Sequence, residues 1–284
     1  MFDWLEFDFM TRAFFATSVL SLSVAPVGAF LVLRKLSLAG EAMAHAIVPG
    51  IVIGFVISGL SVFSMVTGGL IAGIFVAIAT TVIARSTILQ EDASLASLYL
   101  IALALGIFIL SVAGSAIPLK SFLFGSILGI GDETLYLILI SASITLANFA
   151  IILRPLTLNT LDPIYYKSQA KRPFLVEFVF MFLLILNLLA AFKALGTLMA
   201  VGLMVLPATA ARCWVKSVKS YLFVTFSFSI TSCWVGLFLS FYFSDVPSGP
   251  AIILVAGVIY AASLILGRQG LGLLHFHESP EQKR

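Results

Sequence analysis

Glu41 and His45 are the two residues whose types and spacing most directly suggest chemistry. They stand in the run Ser37-Leu-Ala-Gly-Glu41-Ala-Met-Ala-His45-Ala-Ile-Val-Pro49-Gly50. Side chains four residues apart stack on one face of a helix. A carboxylate oxygen beside an imidazole nitrogen suits a first-row divalent cation such as zinc, manganese or iron. Gly40 and Gly50 leave room for an ion or another helix, and Pro49 removes a helix N–H and so frees a carbonyl. The same spacing also serves a second use, in which the two side chains bond to each other inside a bundle, or His45 is satisfied by a carbonyl. Two ligands are too few for a tight metal site. They suit a transit site that an ion must leave quickly, above all if a second copy supplies matching groups.

The residues that must position this pair are overwhelmingly apolar. Of 284 residues, 61% are hydrophobic and 10% charged, with a mean hydropathy of +1.15. Soluble domains are roughly 45–50% apolar and about 25% charged. A soluble enzyme and a nucleic-acid binder are thereby excluded, and a lipid bilayer becomes the solvent. About 20 apolar residues cross ~30 Å of hydrocarbon as a helix. Nine stretches qualify: 12–33, 43–60, 63–84, 94–113, 133–153, 174–192, 195–211, 221–243 and 249–267. The expected fold is an all-α polytopic membrane bundle of about nine helices, or eight if 195–211 fails, in one transmembrane domain over 1–284. The stretch 195–211 is short and is interrupted by Gly196, Gly202 and Pro207. The apolar piece 117–130 is too short to cross and reads as re-entrant or lying at the surface.

Charge placement orients the bundle. With Arg34 and Lys35 inside and nine spans alternating, 13 of the 16 Lys and Arg residues fall on the cytoplasmic side. Arg12, Lys120 and Lys193 fall outside. The N-terminus is expected outside and the C-terminus in the cytoplasm. The first span follows Asp3, Glu6 and Asp8 rather than basic residues, so it reads as an anchor and not a secretory leader. Cys213 and Cys233 lie in apolar runs and read as small core residues. Glu91, Asp92, Asp132 and Glu133 sit where they would favour the starts of helices. Glu177 and Asn187 either line a path or hydrogen-bond between helices. His275, His277 and Glu278 form a tail cluster that either binds metal weakly or is simply solvated. Gly50-x-x-x-Gly54, Gly69-x-x-x-Gly73 and Gly125-x-x-x-Gly129 predict close helix approach.

The longest polar stretch is Arg154–Pro173, expected as a cytoplasmic connection. Within it Asp162-Pro163 is a good helix start, since Asp caps free N–H groups and Pro fits the first helical position. A short surface helix from Pro163 to about Lys171 would dock another protein, or the stretch is an ordinary basic loop near anionic lipid. The chain carries no energy-coupling motor. Gly114-Ser-Ala-Ile-Pro-Leu-Lys120-Ser121 has Leu119 where a phosphate-binding loop requires Gly.

The run Leu33-Arg34-Lys35-Leu-Ser37 through Pro49-Gly50 resembles the signature of metal-ion ABC importer permeases, Leu-Arg-Arg-x-Ser-Leu-x-Gly-Asp-Ala-x-Ser-His-Ala-x-x-Pro-Gly. Three more runs resemble that family in order: Leu161-Asp162-Pro163 with Ala170, Gly196-Thr-Leu-Met-Ala-Val-Gly-Leu-Met-Val-Leu-Pro207-Ala-Thr-Ala-Ala211, and Asp245-Val-Pro247-Ser-Gly249-Pro250. The resemblance spans residues from about 31 to 265. It implies a multi-pass permease in a bacterial plasma or inner membrane, which is not itself an enzyme and has no permanent cofactor. It also implies a second permease chain, in a homodimer around a central path. Separate cytoplasmic ATP-binding subunits would dock at Asp162, Pro163, Ile164, Tyr165, Tyr166 and Ala170. An extracytoplasmic metal-binding protein would deliver zinc, manganese or iron. The family's Asp and His of the metal path correspond to Glu41 and His45, Glu being one methylene longer than the usual Asp. Ala44 stands for the usual Ser, Ile164 for an acidic residue and Lys171 for a Gly. A gradient-driven carrier in which Glu41, His45 and Glu177 relay protons is the alternative, although the inverted repeats expected of one are not evident.

Overall fold

The computed structural model describes residues 8–59, 61–112, 129–170, 173–243 and 246–267. These form eleven helices: α1 (Asp8–Leu33), α2 (Ser37–Ala46), α3 (Val48–Ser58), α4 (Val62–Ser86), α5 (Glu91–Val112), α6 (Asp132–Leu161), α7 (Pro163–Gln169), α8 (Pro173–Leu195), α9 (Thr197–Arg212), α10 (Val218–Tyr242) and α11 (Ser248–Leu266). Among them, eight segments are long and apolar enough to cross a membrane, with α2 and α3 together counting as one. Helices are what this composition dictates in hydrocarbon, because each backbone N–H and C=O must be satisfied within its own segment. The hydroxyls follow the same rule. Those of Thr17, Ser18, Thr80, Thr81, Thr225 and Ser232 donate back to carbonyls of their own helices.

Side-chain pairings give the directions. Trp234 donates to Ser18 at 3.0 Å and Ser21 meets Cys233 at 3.3 Å, while Ala29 packs with Tyr221. So α1 and α10 run antiparallel. Gly28 lies on Met204 and Ala29 on Ala208 and Ala211, so α9 runs parallel to α1. Arg12 pairs with Asp132 at 2.7 Å at one end of the bundle, and Arg34 with Glu177 at 3.6 Å at the other. The weakest expected span, 195–211, is present as the apolar helix α9 of 16 residues, about 24 Å at ~1.5 Å per residue, and it falls short of the eight segments long enough to cross. It is joined to α8 by Gly196 alone, at φ 92°, a conformation other residues avoid.

The core is built on α1, α2 and α8. Leu20, Val24, Phe30, Met43, Ile47, Phe180, Leu183 and Leu188 are fully or almost fully buried. The peripheral α4 and α5 present Phe63, Ile71, Phe75, Ile101 and Phe108 outward, as a lipid-facing surface requires. Lipid is as apolar as leucine, so association here rests on close packing rather than on expulsion of water. The tightest case is α3 against α4. A Cβ placed on Gly50 would overlap the Gly68 carbonyl, and one on Gly54 the Ser64 carbonyl. The expected Gly69 and Gly73 also sit in contact, against Leu189 and Ile51 and against Ile47 and Ile185. Gly125 lies outside the described residues, as do most of 117–130, Asp245 and the 275–278 cluster.

Two expected boundaries are corrected. The span expected to begin at 43 begins at Ser37 and breaks at Ile47, ahead of Pro49. The polar connection expected from Arg154 is helical as far as Leu161, because α6 continues through Pro155. Its buried stripe Phe149, Ile152, Leu156, Asn159 keeps helical spacing past the proline, and that packing outweighs the lost hydrogen bond. Cys233 is buried and Cys213 half-buried, both free.

The Gly50–Gly68 contact predicts that Gly50→Val, which must push two backbones apart, costs about 1–3 kcal/mol. Thermal unfolding of the purified chain in detergent should fall by several degrees for this variant. Gly257→Ala, with nothing within 4 Å of the added carbon, should unfold at the wild-type temperature.

Candidate functional site: a polar stripe on α2

A tightly bonded reversal delivers the chain into α2. The Leu36 N–H donates to the Leu31 carbonyl at 2.8 Å and the Lys35 N–H to that of Val32 at 3.1 Å. This six-to-one and five-to-two pair closes the end of α1. Lys35 takes the left-handed conformation, φ 60°, that usually falls to glycine. The Ala39 N–H then donates to the Leu36 carbonyl, and α2 is under way.

One face of α2 is packed against the rest of the bundle. Ala39, Gly40, Ala42, Met43, Ala44 and Ala46 are buried, and α2 touches α1, α3, α4, α5, α8 and α9. The small side chains allow it to be surrounded so closely. The other face carries Leu38, Glu41 and His45 at spacings of three and four. Leu38 is 80% exposed, Glu41 is exposed and His45 half-buried. The predicted pair therefore shares one face, as the spacing requires. Among the described residues, neither side chain takes a hydrogen bond or an ion pair, so the reading in which they bond each other is not the arrangement found. His45 instead lies beside Tyr99 of α5, ring centroids 6.0 Å apart and tilted by 30°.

The chemistry open to this stripe is that of an incomplete ligand set. No group of three or more His, Cys, Asp or Glu that could hold a metal ion occurs among the described residues. Glu41 offers oxygen and His45 nitrogen, and further ligands would have to come from outside the chain. A charged carboxylate costs about 2.5–3.5 kcal/mol at the centre of the hydrocarbon, and less toward its edge. An uncovered Glu41 is therefore an expensive surface in lipid and an inexpensive one against a polar path or a second subunit.

The second predicted set lies on α7. Asp162 accepts the Tyr165 N–H at 2.9 Å and Pro163 occupies the first turn, as expected of that pair. The helix ends at Gln169, close to the expected Lys171, and the Ala170 N–H closes onto the Tyr166 carbonyl. Ile164 is 84% and Tyr165 52% exposed, whereas Tyr166 is buried and Ala170 half-buried against the core. Burial pushes the Tyr166 hydroxyl above its usual range, and the neighbouring Glu177 adds to that, so the phenol stays neutral. The helix thus presents an exposed ridge of Ile164 and Tyr165 on a face anchored by Tyr166.

Two features were not anticipated from the sequence. Tyr99 lies in an apolar stretch and has no motif around it, so only its ring contact with His45 singles it out. Glu177 was read as a path residue or a hydrogen-bonding one, and it proves to join three elements. Its Oε1 faces Arg34 at 3.6 Å and accepts from Asn159 of α6 at 3.4 Å. Asn187, the other candidate of that span, donates to Thr145 at 2.7 Å and to the Leu183 carbonyl at 2.8 Å, joining α8 to α6.

Comparison with known proteins adds an independent line. The sequence model of the ABC 3 transport family matches residues 6–267. The manganese import system permease protein ScaB of Streptococcus gordonii is 29% identical over 262 residues, which is 92% of each chain. A Haemophilus influenzae protein named "Probable iron transport system membrane protein" is 27% identical over 271 residues, 93% of this chain and 97% of the relative. The solved structure of PsaBC from Streptococcus pneumoniae in complex with Fab contains a chain similar in fold, with a TM-score of 0.85 and 29% identity. That likeness covers 96% of this chain and 98% of the other.

Proposed function

Because the chain belongs to the ABC 3 transport family, and is a multi-pass membrane permease of the metal-importer kind, we propose that its cargo is a divalent first-row metal ion, manganese before iron or zinc. In this reading the whole of 1–284 is one permease domain. Two copies pair around a path bordered by Glu41 and His45, and separate ATP-binding subunits drive the cycle from the cytoplasm through α7. An extracytoplasmic binding protein hands over the ion at the opposite end.

The single observation that carries the reading is the stripe on α2. With its other face packed into the bundle, α2 leaves Leu38 and Glu41 exposed and His45 half-buried beside Tyr99. A second copy opposing that stripe would remove the lipid cost of Glu41 and double the ligand count to a number that can hold a divalent ion. Carboxylate and imidazole without a thiolate favour no soft ion, and the sites of this chemistry bind manganese, iron and zinc alike. Manganese is put first because the Streptococcus gordonii relative carries that metal in its name. Incomplete coordination in each chain suits passage, since an ion held by a closed four-ligand set leaves slowly. Orientation follows the basic residues, with the Arg34 and Arg212 ends of the bundle on the cytoplasmic side. On that side α7 offers its exposed Ile164 and Tyr165 to the ATPase.

Reconstitution into proteoliposomes with the ATPase subunits and binding protein tests this. Manganese uptake should require nucleotide and survive a dissipated ion gradient. His45→Ala should lower uptake by at least about tenfold, the factor corresponding to ~1.4 kcal/mol, with normal recovery of the complex. Unchanged uptake in that variant would reject the role of His45. Uptake that ignores nucleotide and collapses with the gradient would establish the carrier alternative.

A separate prediction concerns docking. Tyr165→Ala removes an exposed aromatic from the ridge of α7, and a loss above about 1 kcal/mol is typical of such anchors. Asp162→Ala removes the cap and costs α7 about 1 kcal/mol. Both should weaken ATPase association in pull-down and binding titrations. Wild-type affinity and wild-type stimulated hydrolysis in both variants would count against α7 as the docking element.

A further inference from the structure

The polar cluster around Glu177 lies between α7 and the turn that launches α2. Arg34 closes the end of α1, three residues before the first residue of α2. The intervening turn has no slack: the Arg34, Lys35 and Leu36 N–H groups all bond back into α1, at 3.0, 3.1 and 2.8 Å. A displacement of the Arg34 backbone is therefore a displacement of Ser37, with Glu41 one turn further on. The Arg34 guanidinium also lies over the Phe180 ring of α8, 5.4 Å from the ring centre.

Glu177 connects this turn to α7. Its Oε1 takes Arg34 Nη2 at 3.6 Å and Asn159 Nδ2 at 3.4 Å, both on one oxygen. Asn159, almost fully buried, stands three residues before Asp162, the cap of α7. Tyr166 of α7 is buried near the same carboxylate. Strong N–H···O bonds fall at about 2.7–3.2 Å, so the carboxylate bridges two donors at the loose limit of both.

We infer that Glu177 is a positioning residue that carries displacement of α7 to α2 through Arg34, so that the state of the docked ATPase sets the position of Glu41 and His45. The inference rests on the reading of α7 as the ATPase dock and of α2 as the border of the metal path. A purely structural role would have Glu177 simply hold α1 to α8. The two roles separate in one quantity, the ATP hydrolysed per manganese ion imported.

The experiment uses the complete transporter, with its ATPase subunits and binding protein, in proteoliposomes supplied with manganese. Glu177→Gln keeps an acceptor for Asn159 and removes the charge that faces Arg34. Complex recovery and hydrolysis should stay near wild type while uptake falls, so that the ratio rises about fivefold or more, the low end of typical coupling factors. The double variant Arg34→Glu with Glu177→Arg should bring the ratio back toward wild type. A wild-type ratio in Glu177→Gln overturns the inference. If that variant does not assemble, Asn159→Ala decides in its place: a raised ratio supports the inference, and an unchanged ratio or failed assembly assigns the cluster to folding alone. Failure of the underlying functional reading is distinguishable, because the wild-type transporter would then show no nucleotide-dependent uptake at all.

Discussion

Hydrocarbon does not solvate a carboxylate, and the structure around α2 is organised by that constraint. Glu41 stands in a helix whose other face is packed on all sides by small residues. Among the described residues nothing bonds it, and a charge facing hydrocarbon is costly. An arrangement of this kind persists in a membrane protein when the group meets water, an ion or a partner subunit. The same constraint explains why the hydroxyls of α1, α4 and α10 turn back on their own helices, whereas the stripe of α2 does not satisfy itself internally.

Rigidity elsewhere gives that stripe a defined position. The left-handed Lys35 turn fixes the start of α2 and the Pro49 break fixes its end. Beyond the break, α3 lies on α4 with glycine against glycine, a contact that admits no side chain and little movement. α2 is thus a ten-residue segment held at both ends, with a half-buried imidazole beside Tyr99 and an exposed carboxylate one turn before it. Its N-terminal end adjoins the Arg34–Glu177 pair, and Glu177 in turn reaches the base of α7.

Much of this was legible in the sequence because the signals were local. The i, i+4 spacing placed Glu41 and His45 on one face, and Asp162-Pro163 announced α7 to within two residues of its end. Gly50-x-x-x-Gly54 announced a close helix approach, and the structure supplies its partner, the Gly68 and Ser64 carbonyls of α4. The continuation of α6 past Pro155 was also available, in the spacing of Leu156 and Asn159, but a proline after an arginine reads as an end when burial is unknown. What could not be read was non-local. Arg34 gave a charge for orientation and a place in the signature run, and Glu177 only a polar residue in a span, and their meeting depends on how α1 and α8 pack. Tyr99 beside His45 is of the same kind, and so is the packing of the short α9 against Gly28 and Ala29 of α1.

The most direct test of the account is the position of the ion itself. Anomalous scattering at the manganese edge, from crystals of the assembled transporter trapped with manganese inside, would locate it without reference to activity. The account predicts one peak between two opposed copies of α2, at coordination distance of about 2.0–2.2 Å, as carboxylate oxygens and imidazole nitrogens bind a first-row divalent ion, from Glu41 and His45. A peak bound by other residues, with the Leu38, Glu41 and His45 stripe lying against lipid, would contradict it.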